Sequence, residues 1–222
     1  MEFYWAYADY KMGMKLVEEM YKEVIKKTFS VLKFDIFGFK IDFNKKWQTI
    51  DYGQSILKKF KIDIDKTSKQ EVIKKLKELK IKYEKNASLG RLIDALWKEC
   101  RKQIGGPAFL VGHPVSVSPL AKRDEKSYSR VQRFQVILAG SEMGNGYSEL
   151  NDPLDQAERF KEQAKMRAQG DKEAQMHDKD FVEALEYGMP PTCGFGVSER
   201  LFSFLMNKPI RECVLFPLMR PK

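Results

Sequence analysis

The sequence predicts an α+β fold: an antiparallel sheet flanked by helices, incomplete on its N-terminal side, with a small helical insertion at about residues 52–104. Three observations carry that expectation. Segments at 2–10, 34–43 and 133–150 alternate with the two-residue period of strands. Segments at 12–29, 68–79, 88–100 and 153–169 carry apolar residues at the three-to-four-residue period of amphipathic helices. At 222 residues, with 43% hydrophobic and 12% aromatic content, the chain has the material for one domain with a substantial core.

In chain order, EFYWAYADY (2–10) reads as a strand with Phe3, Trp5 and Tyr7 on one side and Glu2 and Tyr4 as a polar pair on the other. It begins without lead-in, so the strand that should precede and pair with it is absent. The 12–29 helix places Leu16, Met20 and Val24 on one stripe beside Val17 and Tyr21. A strand follows at 34–43, with Trp47–Asp51 expected as its continuation or partner. Ser68 opens a capping box with Glu71, and Val72, Leu76 and Leu79 form the stripe behind it. Ser88 caps a helix whose Leu92, Leu96, Trp97 and Cys100 are packing residues. Gly105-Gly106 ends it, and 107–111 is a short buried strand. The loop 113–122 holds two prolines, and ordered loops of this kind often carry function.

The chain is organised around 140–153, GSEMGNGYSELNDP. As a strand it aims Asn145, Tyr147 and Glu149 to one face, which is wasteful in a plain core sheet and sensible as the floor of a polar pocket. The plainer alternative is a solvent-facing edge strand followed by a capped helix. Glu142 has the opposite parity and joins the pocket only if Gly144 or Gly146 supports a bulge. Asp152-Pro153 then starts a helix, with Asp as cap and Pro in the first turn. Further on, 180–187 is a short helix. In MPPTCGFGVSERLF (189–202), Arg200 stands at the start of an apolar and therefore buried helix, where the dipole does not favour a cation. An anion compensates such an arginine, and its planar guanidinium suits a triphosphate or a base face.

Composition narrows the functional classes. Cys100, Cys193 and Cys213 are far apart and only two histidines are present, which argues against a zinc site or a disulfide framework and fits a reducing cytoplasm. No apolar run approaches the roughly 20 residues that span a bilayer, so no membrane partner is expected. The net charge of +9 is compatible with a polyanionic partner, yet residues 58–85 alone hold eleven lysines against five acids without interleaved aromatics suited to base stacking, as a solvated helix face does.

Five stretches together resemble the C-terminal part of the catalytic domain of class II lysyl-tRNA synthetases: EFYWAYADY (2–10), HPVSVSPLAKR (113–123), RFQVILAGSEMGNGYSELNDPLDQAERFKEQ (133–163), MPPTCGFGVSERLF (189–202) and IRECVLFPLMRP (210–221). The likeness covers nearly all of 1–222 in order. NGYSELNDP followed by DQAxRF separates the lysine enzymes from their aspartate and asparagine relatives. The resemblance implies a partial catalytic domain that uses ATP and Mg2+ to activate lysine to lysyl-adenylate before transfer to tRNA(Lys), in the cytoplasm and in a homodimer.

It also implies residue roles. Glu2 and Tyr4 line the lysine side-chain pocket, Glu149 receives the ε-ammonium, Tyr147 walls the aliphatic stem, and Asn145 meets the polar end of the amino acid. Glu142, with Met143, Glu199 and Arg200, serves ATP; Glu142 holds magnesium, and Arg200 stacks on adenine and meets the γ-phosphate. Glu142 and Arg200 are the expected catalytic groups, acting by position and charge rather than as nucleophiles. The sequence departs from the family pattern in three ways. Gln135 stands where most members carry a second metal-binding acid, GFGVSER is one residue short, and the chain starts inside the second motif with no anticodon-binding barrel. The resemblance therefore implies weak autonomous activity, down roughly 10³-fold or more for want of an arginine on the reacting phosphate. The alternative reading is a truncated, non-catalytic or split-subunit module that keeps a lysine/ATP pocket.

Overall fold

A computed structural model describes residues 1–84, 86–171 and 174–217. Lys85, the last lysine of the 58–85 run, and Leu218–Pro221, the end of the C-terminal matching stretch, lie outside the described residues. The centre is a six-stranded sheet of β1 (Glu2–Ala6), β4 (Gln48–Asp51), β5 (Ala108–Val111), β8 (Arg133–Leu138), β9 (Ser141–Ser148) and β10 (Thr192–Val197). Its order is β1-β10-β9-β8-β5-β4, antiparallel except for the β4–β5 pair.

The N-terminal strand stops at Ala6 rather than running to residue 10. Tyr7 takes a left-handed φ of 60°, and Asp9 accepts hydrogen bonds from the Lys11 and Met12 amides, so α1 (Tyr10–Phe29) starts at once. Phe3 packs on the core, whereas Trp5 is 38% and Tyr7 80% exposed, so the expected aromatic side is only partly buried.

The 34–43 segment is corrected from one strand to a hairpin, β2 (Lys33–Ile36) and β3 (Phe39–Asp42). Phe37 and Gly38 both have positive φ, and the Asp35 carboxylate accepts from the Gly38 amide; this two-residue turn interrupts the alternation. The 47–51 segment is likewise corrected. It neither continues nor pairs with that hairpin but lies parallel to β5 as β4.

α1 covers one face of the sheet. Val17, Tyr21 and Ile25 are buried against Phe134, Val136 and Leu138 of β8, Met143 of β9 and Phe195 of β10. Gly13 is where the two layers come closest, because a Cβ there would collide with Cys193 Sγ and the Phe134 ring.

The β4–β5 connection crosses the other face and carries α2 (Tyr52–Phe60), α3 (Lys69–Glu78) and α4 (Leu89–Arg101). These helices form a second core in which Tyr52, Ile56, Leu76, Leu96 and Trp97 meet Leu110 and Ile137 from the sheet. They cover the β4–β5 side of that face. Over β1, β10, β9 and the start of β8 its residues are polar, glycine or, at Ala6, small. The remaining elements are the β6 (Arg123–Asp124) and β7 (Ser127–Val131) hairpin, α5 (Pro153–Ala168), α6 (Lys179–Glu186) and α7 (Arg200–Leu205). Among the described residues no helix is long and apolar enough to cross a membrane.

Candidate functional site

Register brings the sequence-predicted residues together. Residues directly opposite across a sheet share a face. Glu2 faces Gly196, Gly196 faces Asn145, and Asn145 faces Gln135. The next row is Tyr4, Gly194, Tyr147 and Arg133. Glu149, two residues beyond Tyr147, donates its amide to the Thr192 carbonyl and so extends the same face.

The two glycines make the face a trough. A Cβ on Gly194 would fall on the Glu149 carboxylate and within 3.1 Å of the Tyr4 ring, so those two groups close over Gly194. Gly196 has nothing within 4 Å of its missing Cβ and is open floor. The Tyr4 hydroxyl donates to Glu2 Oε1 at 2.6 Å, and this bond, then burial and the charges of Glu2 and Glu149, push the phenol up to about 12. Burial raises the Tyr147 phenol as well, with Glu149 adding to it. Burial first and Glu2 second push the Glu149 carboxyl up to about 7. Two carboxylates and two phenols with no cation among them form a cavity end that suits an ammonium.

Arg133 sets the inner boundary, and sequence reasoning missed it. Its Nε donates to Asn145 Oδ1 at 2.8 Å, and its Nη1 donates to the Val117 carbonyl and Ser118 Oγ. It thus ties the 113–122 loop to β9 beside a cavity of about 180 Å³ lined by Val117–Ala121, Arg133, Asn145, Tyr147 and Gln175. With its carbonyl oxygen committed to Arg133, the Asn145 amide keeps its NH₂ donors for another partner. The signal was present, since alternation puts Arg133 on the Gln135 side of β8.

The bulge required of Glu142 is present. Val136 faces Gly144 and Ile137 faces Glu142, which leaves Met143 as the extra residue. Met143 is a core side chain with no exposure, so an ATP-binding role falls to its backbone, whose carbonyl already accepts from Tyr21 Oη and the Ser198 amide. Glu142 joins the polar face: its Oε2 accepts from Gln135 Nε2 at 3.0 Å and its Oε1 lies 3.1 Å from Arg101 Nη1. The Glu142 carbonyl accepts from Arg200 Nη2 at 3.0 Å.

Glu199 and Arg200 are both exposed at the start of α7. That helix is only half buried, contrary to the expectation from its apolar sequence. Ser203 and Leu205 point inward while Phe202 is 44% exposed, because six residues lie across the end of α1 and the β2–β3 hairpin through Phe29–Phe202 and Phe37–Phe204 contacts.

The residues around Glu142 do not by themselves make a closed magnesium site; the ion expected there is one that Glu142 would share with the ATP phosphates. The described residues contain no group of three His, Cys, Asp or Glu able to hold a metal. Gln135 offers no oxygen, since its Oε1 lies 3.0 Å from His113 Nε2 and its NH₂ group faces Glu142. Burial and the Arg133 charge take His113 down to about 3, so the ring is neutral.

The model of the class II tRNA synthetases (D, K and N) matches residues 1–220. The chain belongs to this family. Across its whole length it is 44% identical to the lysine–tRNA ligases of Thermotoga sp. (strain RQ2) and Thermotoga maritima and 40% identical to that of Campylobacter hominis. It spans 44% of the length of the two Thermotoga proteins and 45% of the third.

Proposed function

We propose that this chain is the lysine- and nucleotide-binding portion of a lysine–tRNA ligase, which joins lysine to ATP as lysyl-adenylate and passes the lysyl group to tRNA(Lys). The observation that carries the reading is the Glu149 carboxyl over Gly194, raised to about 7 by burial and Glu2 and walled by Tyr4. An ammonium entering this end gives Glu149 its counter-charge and turns a costly buried carboxylate into a paired one. Tyr147 then flanks the methylene stem, and the Asn145 amide, held by Arg133, donates to the carboxylate end.

Lysine laid along the trough in this direction sends its carboxylate toward Glu142 and Arg200. The exposed Arg200 guanidinium takes the anionic, planar nucleotide. The reaction asked of these residues is in-line attack of the lysine carboxylate on the α-phosphate, which breaks the bond to the β-phosphate and releases pyrophosphate. They contribute orientation and fixed charge, with no protein nucleophile. Glu199 and the backbone of Met143 border the nucleotide side. The family reading also carries a homodimer and a cytoplasmic setting.

The test is calorimetric titration of the chain with lysine, arginine and ornithine, with Glu149→Gln as control. Lysine is expected to bind best, and Glu149→Gln to weaken it by about 3 kcal/mol, on the order of a hundredfold, as for other buried charge pairs that lose one member. Equal binding of lysine by wild type and Glu149→Gln would sink the assignment. Lysine-dependent ATP–pyrophosphate exchange, with the same control, then measures whether the bound lysine is activated.

A further inference from the structure

We propose that the Arg101 guanidinium is the resident counter-cation of Glu142, so that without nucleotide this position on the sheet holds no divalent ion and keeps a fixed protein charge in its place. Both Glu142 oxygens are engaged, Oε1 with Arg101 Nη1 at 3.1 Å and Oε2 with Gln135 Nε2 at 3.0 Å. Mg2+ takes six ligands near 2.1 Å and keeps several waters, so a site that holds it without phosphate groups needs more than one free protein oxygen. Here the second potential ligand is an amide turned the wrong way. Its oxygen lies 3.0 Å from His113 Nε2, and its NH₂ group donates to Glu142 Oε2.

Arg101 is not a surface side chain that happens to pass by. It lies in the last turn of α4, where the helix dipole favours a cation. The residues after that helix are fastened to the turn that leads into β9. The Ala139 amide donates to the Gly105 carbonyl, and the Gly140 amide to the Ile104 carbonyl. Cys100 beside it is buried in the second core. The insertion thus delivers a guanidinium to Glu142 from fixed backbone. A guanidinium stays charged at every working pH, and its planar fork matches a carboxylate. Gln135 and Arg101 complement one another: the amide removes a negative charge from the site, and the arginine neutralises the one that remains.

The inference deepens the lysine–tRNA ligase reading and rests on it only in placing a nucleotide at this face. Its test uses metal alone, so the two fail separately. The full chain is titrated with Mn2+ in the absence of nucleotide, and free Mn2+ is followed by electron paramagnetic resonance. Wild type is expected to bind none below about 1 mM, the weak end of carboxylate cation sites. The double variant Arg101→Met, Gln135→Glu is expected to bind one Mn2+ per chain at least about tenfold tighter, through the second carboxylate it gains. Adding Glu142→Gln to that background should abolish the binding. Stoichiometric Mn2+ binding by wild type that Glu142→Gln removes would overturn the proposal. So would a double variant with a wild-type circular dichroism spectrum and no gain. Should the double variant not fold, the wild-type and Glu142→Gln titrations decide.

Discussion

Burial places the Glu149 carboxyl near pH 7, where ligand binding becomes sensitive to protons. In the free chain the carboxyl is mostly protonated below that pH, whereas an ammonium demands the ionised form. Lysine affinity should therefore rise about tenfold per pH unit up to 7 and level off above it, with one proton released on binding at lower pH. Calorimetry at pH 5.5–8.5 in buffers of different ionisation enthalpy reads both quantities, and a flat affinity profile would contradict this account. The sign for folding is opposite. The folded carboxyl is raised from 4.5 to about 7, so the proton it binds stabilises the fold fully below 4.5, and that contribution is lost as pH rises to 7. Gly194 supplies a second prediction at this scale. Gly194→Ala puts a methyl onto the Glu149 carboxylate and against Tyr4, so lysine binding should fall while thermal stability changes little; unchanged lysine affinity would place the pocket elsewhere. Much of this site was legible, because Glu2, Tyr4, Asn145, Tyr147 and Glu149 share one parity on strands whose period is two. Arg101 was not, because the last turn of an insertion helix reaches Glu142 only after tertiary docking, and no local pattern encodes that distance.

At the level of elements, α5 is bound to the site by an ion network. Arg159 is only 3% exposed, and its Nη1 donates to the Ser118 and Ala121 carbonyls of the 113–122 loop. Asp155 accepts from both Arg159 and Arg123. Burial alone would raise the Asp155 carboxyl, but hydrogen bonds from the two arginines outweigh it and hold it low. Removing one partner of a buried pair leaves the other charge uncompensated. Asp155→Ala should cost about 3 kcal/mol, and thermal unfolding should shift down by roughly 6–12 °C for a chain of this size. A shift within a degree or two would show the network to be a solvated decoration. The helix itself was readable from its Asp152-Pro153 start, and the structure shows the Asp152 carboxylate accepting from the Leu154 and Asp155 amides. The β2–β3 hairpin was not, since its turn uses Phe37 at positive φ where Asn or Gly would have announced it. Pairing of β4 with β5 was equally hidden, because their parallel contact depends on a crossover of more than fifty residues.

Over the whole molecule, the two edges of the central sheet are protected to different degrees. β4 is four residues long, is preceded by Lys45 and Lys46, and runs directly into α2. β1 forms the opposite edge and, among the described residues, pairs only with β10. It exposes an aromatic ring on each face, Tyr4 at 65% and Trp5 at 38%, with Glu2 as the one charged side chain in the strand. An aromatic edge with unpaired backbone groups is a template for another strand, and lysine is the usual means of blunting it. The chain should therefore self-associate through β1, its apparent mass rising with concentration in multi-angle light scattering, despite a net charge of +9. Trp5→Lys should suppress that rise, because Trp5 is already partly exposed and a lysine there keeps its stem on the sheet and its charge in water. Lys46→Trp, on the other edge, should leave the mass of wild type unchanged. A single monomeric mass across the whole concentration range, in wild type as in Trp5→Lys, would show that this edge is silent in solution.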